Sequence, residues 1–259
     1  MYLREHYFDN VDFTCEPLIK TDILSGLIPK FIALFESKTL TRAEQENSYI
    51  KAVESLLSQA SVDEGMHKFM EQSLVQVFQY GEYDNIGAYI KEKQLSSDMC
   101  MSDVESMQLK ASIESIKRVS VGQPAPEIAI TDLAGKSYRL SDIKYAYTLV
   151  LFWSSHCGHC TKMLPELSKI YKSQKSKQLE VVAISTEPKR QDWLAFLNHG
   201  DYNWINYLDA DGYKSQTTKD YNIIGTPTFL LLDENKVIIS KPNSIENLHT
   251  KLMELNLVN

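Results

Sequence analysis

Tyr147-Thr148-Leu149-Val150-Leu151-Phe152-Trp153-Ser154-Ser155-His156-Cys157-Gly158-His159-Cys160 is the stretch on which the reading of this chain turns. Its opening apolar run has the look of a buried strand. Beyond the second cysteine, Met163, Leu164, Leu167, Ile170 and Tyr171 recur at helical spacing. Two cysteines three residues apart therefore sit where a strand gives way to a helix, a placement that suits a dithiol cycling with a disulfide. Cys157 falls at the helix N-terminus, where unpaired backbone N–H groups and the macrodipole favour an anion. Thiolate, rather than thiol, attacks a disulfide. Cys160, one turn on, is near enough to close the ring and release the attacked partner. Neither sulfur is expected deep in the interior, and the two are expected within bonding reach.

Other uses of Cys-x-x-Cys fit less well. Half of a structural zinc site would need a second Cys-x-x-Cys or a His-x-x-x-His, and neither follows. His156 and His159 complete a ligand set on paper, but all four groups lie in one turn, which makes tetrahedral closure awkward. Covalent haem needs His directly after the second cysteine, where Thr161 stands. Inert buried cysteines remain open, though a Gly-His insert at a helix start suits them poorly. No metal and no organic cofactor is expected; the redox-active pair Cys157 and Cys160 carries the chemistry itself.

The 259 residues suggest one large or two modest domains. A net charge of −7 argues against nucleic acid or an anionic membrane surface as partner. No apolar run approaches the ~20 residues that span a bilayer. Met1-Tyr2-Leu3-Arg4-Glu5-His6 lacks a signal-peptide pattern, which leaves a cytoplasmic protein or one whose leader is missing. Cys15 and Cys100 lie outside the motif and are expected as separate buried thiols rather than a bridge.

Residues 1–118 have helical patterning throughout. Leu24, Leu27, Ile28, Phe31 and Phe35 line one face, with Pro29 opening or kinking that helix. Thr41-Arg42-Ala43-Glu44 forms a capping box before Ile50, Val53, Leu57 and Ala60. Met66, Phe69, Met70, Leu74, Val77 and Phe78 make a clean stripe ended by Gly81. A shorter helix is expected over 83–93, and Ser102-Asp103-Val104-Glu105 opens another to about Arg118. These methionines and aromatics are expected in a core. This half contains no constellation assignable to chemistry.

Val119 to Pro126, with one glycine and two prolines, marks the domain boundary, giving 1–118 and 119–259. Residues 127–130 and 137–140 flank Ala134-Gly135-Lys136 as a hairpin. After the helix that carries the cysteines, and Pro165, come a strand at 179–185, a helix near 191–198, a short strand at 204–208 and a short helix at 213–221. Strands at 228–232 and 236–240 flank the turn Asp233-Glu234-Asn235. A last helix presents Ile245, Leu248, Leu252 and Leu255. This order predicts a mixed α/β sheet with helices on both faces. Pro227 stands at the first position of a strand, in Gly225-Thr226-Pro227-Thr228. A cis bond there would turn the Thr226 backbone towards the dithiol; a plain trans turn is the alternative.

Several of these motifs, in this order, resemble the thioredoxin-fold TlpA/ResA-like thiol-disulfide oxidoreductases over about Val119 to Leu257. They are Gly122-Gln123-Pro124-Ala125-Pro126, Asp132-Leu133-Ala134-Gly135-Lys136, Phe152 through Cys160, Pro165-Glu166-Leu167, Tyr221 through Phe229, and Leu231-Leu232-Asp233. The resemblance implies a cis Thr226–Pro227 bond, and extra structure over 187–221. It also implies exchange with protein thiol or disulfide substrates, an upstream thiol-disulfide electron carrier, and an extracytoplasmic setting in the periplasm or tethered to a membrane. Cys157 would attack, Cys160 would resolve, Thr226 and Pro227 would hold the partner's backbone, and Trp153 would pack against the site. His156, Gly158 and His159 complete the motif. The helical half resembles the N-terminal domains fused to such proteins in gut Bacteroidetes.

Two positions depart from the pattern. Leu151 stands where thioredoxin has a buried acid, and Met163 where ResA-like proteins often have glutamate. Glu166, Lys162 or water would then move the Cys160 proton. Gly158-His159 resembles protein disulfide isomerase, and a partly positive His159 is expected to favour the Cys157 thiolate. That raises the expected reduction potential above thioredoxin's, about −270 mV. Two rival readings are a peroxidase, which would need Pro and Thr where Val150 and Ser154 stand, and a helical binding module with a redox-sensing effector domain.

Overall fold

The computed structural model describes residues 2–79, 81–97 and 101–259. The chain divides into two compact units, Met1–Ile113 and Glu114–Asn259.

The first unit is helical: α1 (Tyr2–Glu5), a 3₁₀ turn at Glu16–Lys20, α2 (Asp22–Ala33), α3 (Arg42–Ala60), α4 (Glu64–Phe78), α5 (Asp84–Ser97) and α6 (Asp103–Arg118), through which the division runs. Pro29 lies inside α2 rather than at its start, and Thr21 caps that helix. The capping box of α3 forms as the sequence predicts, with Glu44 N donating to Thr41 Oγ1 at 3.3 Å and Thr41 N to Glu44 Oε2 at 2.8 Å. Ser102 and Glu105 exchange the same pair of bonds before α6. Leu24, Ile28, Phe31, Val53, Leu57, Met66, Met70 and Leu74 form one core. Cys15 is a free thiol, and it is partly exposed rather than buried; it precedes the 3₁₀ turn, outside any amphipathic face. Cys100 lies outside the described residues.

The second unit opens with a hairpin, β1 (Ala129–Thr131) and β2 (Ser137–Arg139), pairing antiparallel. A 3₁₀ turn at Leu140–Asp142 follows. Then come β3 (Tyr147–Trp153), α7 (Gly158–Lys172), β4 (Leu179–Ser185), α8 (Arg190–Leu197), β5 (Ile205–Leu208), a 3₁₀ turn (Gly212–Lys214), α9 (Gln216–Asp220), β6 (Thr228–Leu232), β7 (Ile238–Ser240) and α10 (Ile245–Glu254). The sheet order is β5-β4-β3-β6-β7. β4 runs parallel to β3 and β5, and β6 antiparallel to β3 and β7.

The period-2 alternation of strands sorts the core. Leu149, Leu151, Trp153, Val181 and Ala183 face one side with residues of α7, α8 and α10. Val150, Phe152, Val182 and Ile184 face the other, beneath the hairpin's Ile128 and Ile130 and beneath Tyr221 and Ile223 beyond α9. β3 is central and buried on both faces, as its unbroken apolar run requires. Its carboxyl end, beside that of β4, carries the cysteine motif. β7 begins at Ile238, two residues later than the sequence predicts, because Lys236 takes a left-handed φ of 64°. α7 runs as one element with Pro165 inside it.

Candidate active site

Cys157 is the N-cap of α7, with extended backbone (φ −87°, ψ 110°). Its own N–H donates to Ser154 O at 3.1 Å, closing the turn that leaves β3. Its sulfur accepts from Cys160 N at 3.3 Å, so a side-chain cap satisfies one of the helix's free N–H groups. Both thiols are reduced; Cys157 is partly exposed and Cys160 fully buried. Burial of Cys160 departs from the expectation that neither sulfur lies deep. One turn into α7, position 160 faces the core shared with Met163, Leu164 and Leu167. Only the attacking sulfur must meet a partner, and the second needs only to reach the first.

From the far side, the loop before β6 closes on the pair. The Thr226–Pro227 peptide is cis, and the Cys157 thiol donates to Thr226 O at 3.2 Å. The two acidities diverge. Partial burial raises the pKa of Cys157, but hydrogen bonds from the Cys160 thiol and backbone, from Thr226 and from the His159 N–H outweigh it, leaving the group below its ordinary value. Burial, followed by the proton shared with Cys157, pushes Cys160 up to about 12. Acceptance by the Thr226 carbonyl favours the protonated Cys157, so that contact must yield when the thiolate forms.

The remaining motif residues frame the pair. Trp153 is fully buried, its ring 5.2 Å from that of Phe196. A Cβ at Gly158 would meet nothing within 4 Å, so the glycine leaves open space beside the sulfur. His159 is exposed, and its backbone N–H is among the donors to the Cys157 sulfur. His156 is exposed too, its Nε2 lying 3.3 Å from Asp192 Oδ2 and 3.4 Å from Glu187 Oε2. Leu151 and Met163 are buried, whereas Lys162 and Glu166 are exposed.

Glu187 is a site residue that the sequence reading passed over. It is fully buried, with Oε1 accepting from Ser154 Oγ at 3.1 Å and from Ser155 N. The signal was an acid just beyond the end of β4, at the carboxyl ends of adjacent parallel strands, where α/β sheets bind ligands. Among the described residues, no group of three or more His, Cys, Asp and Glu side chains is arranged to hold a metal ion.

The AhpC/TSA family model matches residues 121–241. Thiol-disulfide oxidoreductase ResA of Bacillus thuringiensis subsp. konkukian is 27% identical over 125 residues, covering 48% of this chain and 70% of the relative. Thioredoxin-like protein YneN of Bacillus subtilis is 32% identical over 123 residues, covering 46% and 69%. A thioredoxin-like protein from Bacteroides caccae shares the fold, helices included, with a TM-score of 0.74 at 20% identity over 98% of this chain and 91% of its own. Taken with a cysteine pair at the start of α7, these likenesses lead to one conclusion: the chain belongs to the ResA-like, thioredoxin-fold thiol-disulfide oxidoreductases.

Proposed function

We propose that Cys157 and Cys160 are the redox-active pair and that their substrates are protein thiols or disulfides. The observation that carries this reading is geometric: a partly exposed Cys157 caps α7 with its sulfur accepting from Cys160 N, and a buried Cys160 stands one turn behind it; the environment lowers the first thiol's pKa and raises the second's. In the reducing direction, the Cys157 thiolate attacks one sulfur of a substrate disulfide. The substrate S–S bond breaks, a mixed disulfide forms, and the departing substrate thiolate takes up a proton. Cys160 then attacks the Cys157 sulfur, closing the Cys157–Cys160 disulfide and breaking the mixed disulfide; the proton it gives up passes, directly or through solvent, to the second substrate thiolate as that leaves. Two electrons pass to the substrate, and an upstream thiol-disulfide carrier returns them. The reverse sequence oxidises a substrate.

Thr226 and Pro227 border the space beside the Cys157 sulfur and would receive the partner's backbone. Trp153 lies in the same buried cluster as Cys160 and would pack against the site, and Gly158 keeps the approach open. The reading includes an extracytoplasmic setting; no described helix is long and apolar enough to cross a membrane. Stabilising the reduced pair makes it more oxidising, so the potential should lie above about −270 mV. Equilibration with glutathione redox buffers measures it; a value at or below that figure would remove the argument from Cys157 acidity. Peroxide reduction lacks its supporting residues, because Val150 and Ser154 stand where it needs Pro and Thr. Insulin-disulfide reduction by the wild type and by Cys157→Ser tests the assignment: the variant is expected to be inactive, and retained activity would end it.

A further inference from the structure

We propose that Glu187 is a positioning residue of the exchange reaction: its buried carboxylate clamps the Ser154–His156 turn so that the N–H groups opening α7 stay aimed at the Cys157 sulfur. This rests on the assignment of Cys157 and Cys160 as the reacting pair.

A carboxylate with no exposed surface is costly to bury unless hydrogen bonds and charge compensate it. The contacts that compensate Glu187 come from three consecutive residues immediately before Cys157. Oε1 accepts from Ser154 Oγ and from Ser155 N. Oε2 has no hydrogen-bond partner and faces His156 Nε2 at 3.4 Å.

Ser154 relays the clamp. Its Oγ accepts from His156 N at 3.2 Å, which directs its own proton towards Glu187. Its carbonyl accepts from Cys157 N at 3.1 Å. Glu187, Ser154 and Cys157 thus form one chain of hydrogen bonds ending at the N-cap whose sulfur meets Cys160 N.

The fold sets this register. β3 and β4 pair in parallel with Trp153 opposite Ser185, and Thr186 N donates to Trp153 O at 3.0 Å just beyond the last pair. Glu187 is the next residue, and it arrives beneath the turn. An apolar residue there would bury more cheaply, so the carboxylate reads as a functional part held at a cost in stability.

The test uses the full chain and the pH profile of Cys157 alkylation by iodoacetamide, with the modified site identified by mass spectrometry and the thermal midpoint recorded alongside. Glu187→Ala should shift the profile to higher pH and slow alkylation near neutrality about tenfold. Glu187→Gln, whose amide oxygen can still accept from Ser154 and Ser155, should recover most of that rate. Ser154→Ala should fall between. The other titratable groups facing the turn, Cys160 of α7, Asp192 of α8 and His156 itself, are the same in all three variants, and the loop at Thr226 brings none.

A folded Glu187→Ala protein with the wild-type profile would overturn the proposal, as would a Glu187→Gln variant as impaired as the alanine one. Should the alanine variant not fold, Ser154→Ala decides: a raised profile supports the clamp and an unchanged one overturns it. Failure of the dithiol assignment would look different, as exchange activity surviving Cys157→Ser.

Discussion

At residue scale, the same side chain acquires two acidities through position alone. Cys157 caps a helix and is held below its ordinary value by hydrogen bonds, whereas Cys160 faces the core and is pushed up to about 12. The sign for reactivity follows, because only thiolate is nucleophilic. As pH rises, Cys157 should become reactive below the ordinary cysteine value, about 8.5, while Cys160 should stay inert until near pH 12. Iodoacetamide at neutral pH should therefore modify Cys157 and spare Cys160, which peptide mapping would read; equal labelling of both would contradict the split. The placement of the pair was legible in sequence, because an apolar run leads into it and an amphipathic one leads out. The source of the acidity was not. The Cys160 thiol, the N–H groups of Cys160 and His159, and Thr226 all bear on the Cys157 sulfur, and their direction is a property of the folded turn. Glu187 was hidden for a related reason: it lies far along the chain from Ser155 and meets it only through the parallel register of β3 and β4.

At the scale of elements, local rules carried most of the reading. β3, β4 and β6 begin and end where apolar runs begin and end, and the capping box at Thr41 forms as written. Thr41→Ala should cost about 1 kcal/mol of stability in the helical unit, measurable by denaturant unfolding; no loss would mean that packing alone sets that helix end. The misses have local causes. Lys236 in the left-handed region delays β7. Trp204 stays outside β5, its indole N–H donating to Asn206 Oδ1 at 3.0 Å instead.

At the scale of the molecule, each unit has a core of its own, and the proposed dithiol lies in the second. Met70 is fully buried in the helical unit; Met70→Ala should destabilise that unit by ~2–5 kcal/mol while leaving the Cys157 alkylation profile in place. The helical unit also holds a cleft of about 600 Å³. There Glu54 already accepts from Tyr89 Oη and Lys93 Nζ at 2.7 and 2.9 Å, so no group in it is assigned to the exchange reaction. The two-sided burial of β3 holds the motif at the carboxyl end of the strand, with Cys157 partly exposed and Cys160 buried. The most direct measurement of the central claim is mixed-disulfide trapping with the Cys160→Ser full chain and an oxidised protein substrate, followed by peptide mapping. The account predicts a covalent adduct on Cys157 that dithiothreitol releases. No adduct, or an adduct on another cysteine, would contradict it.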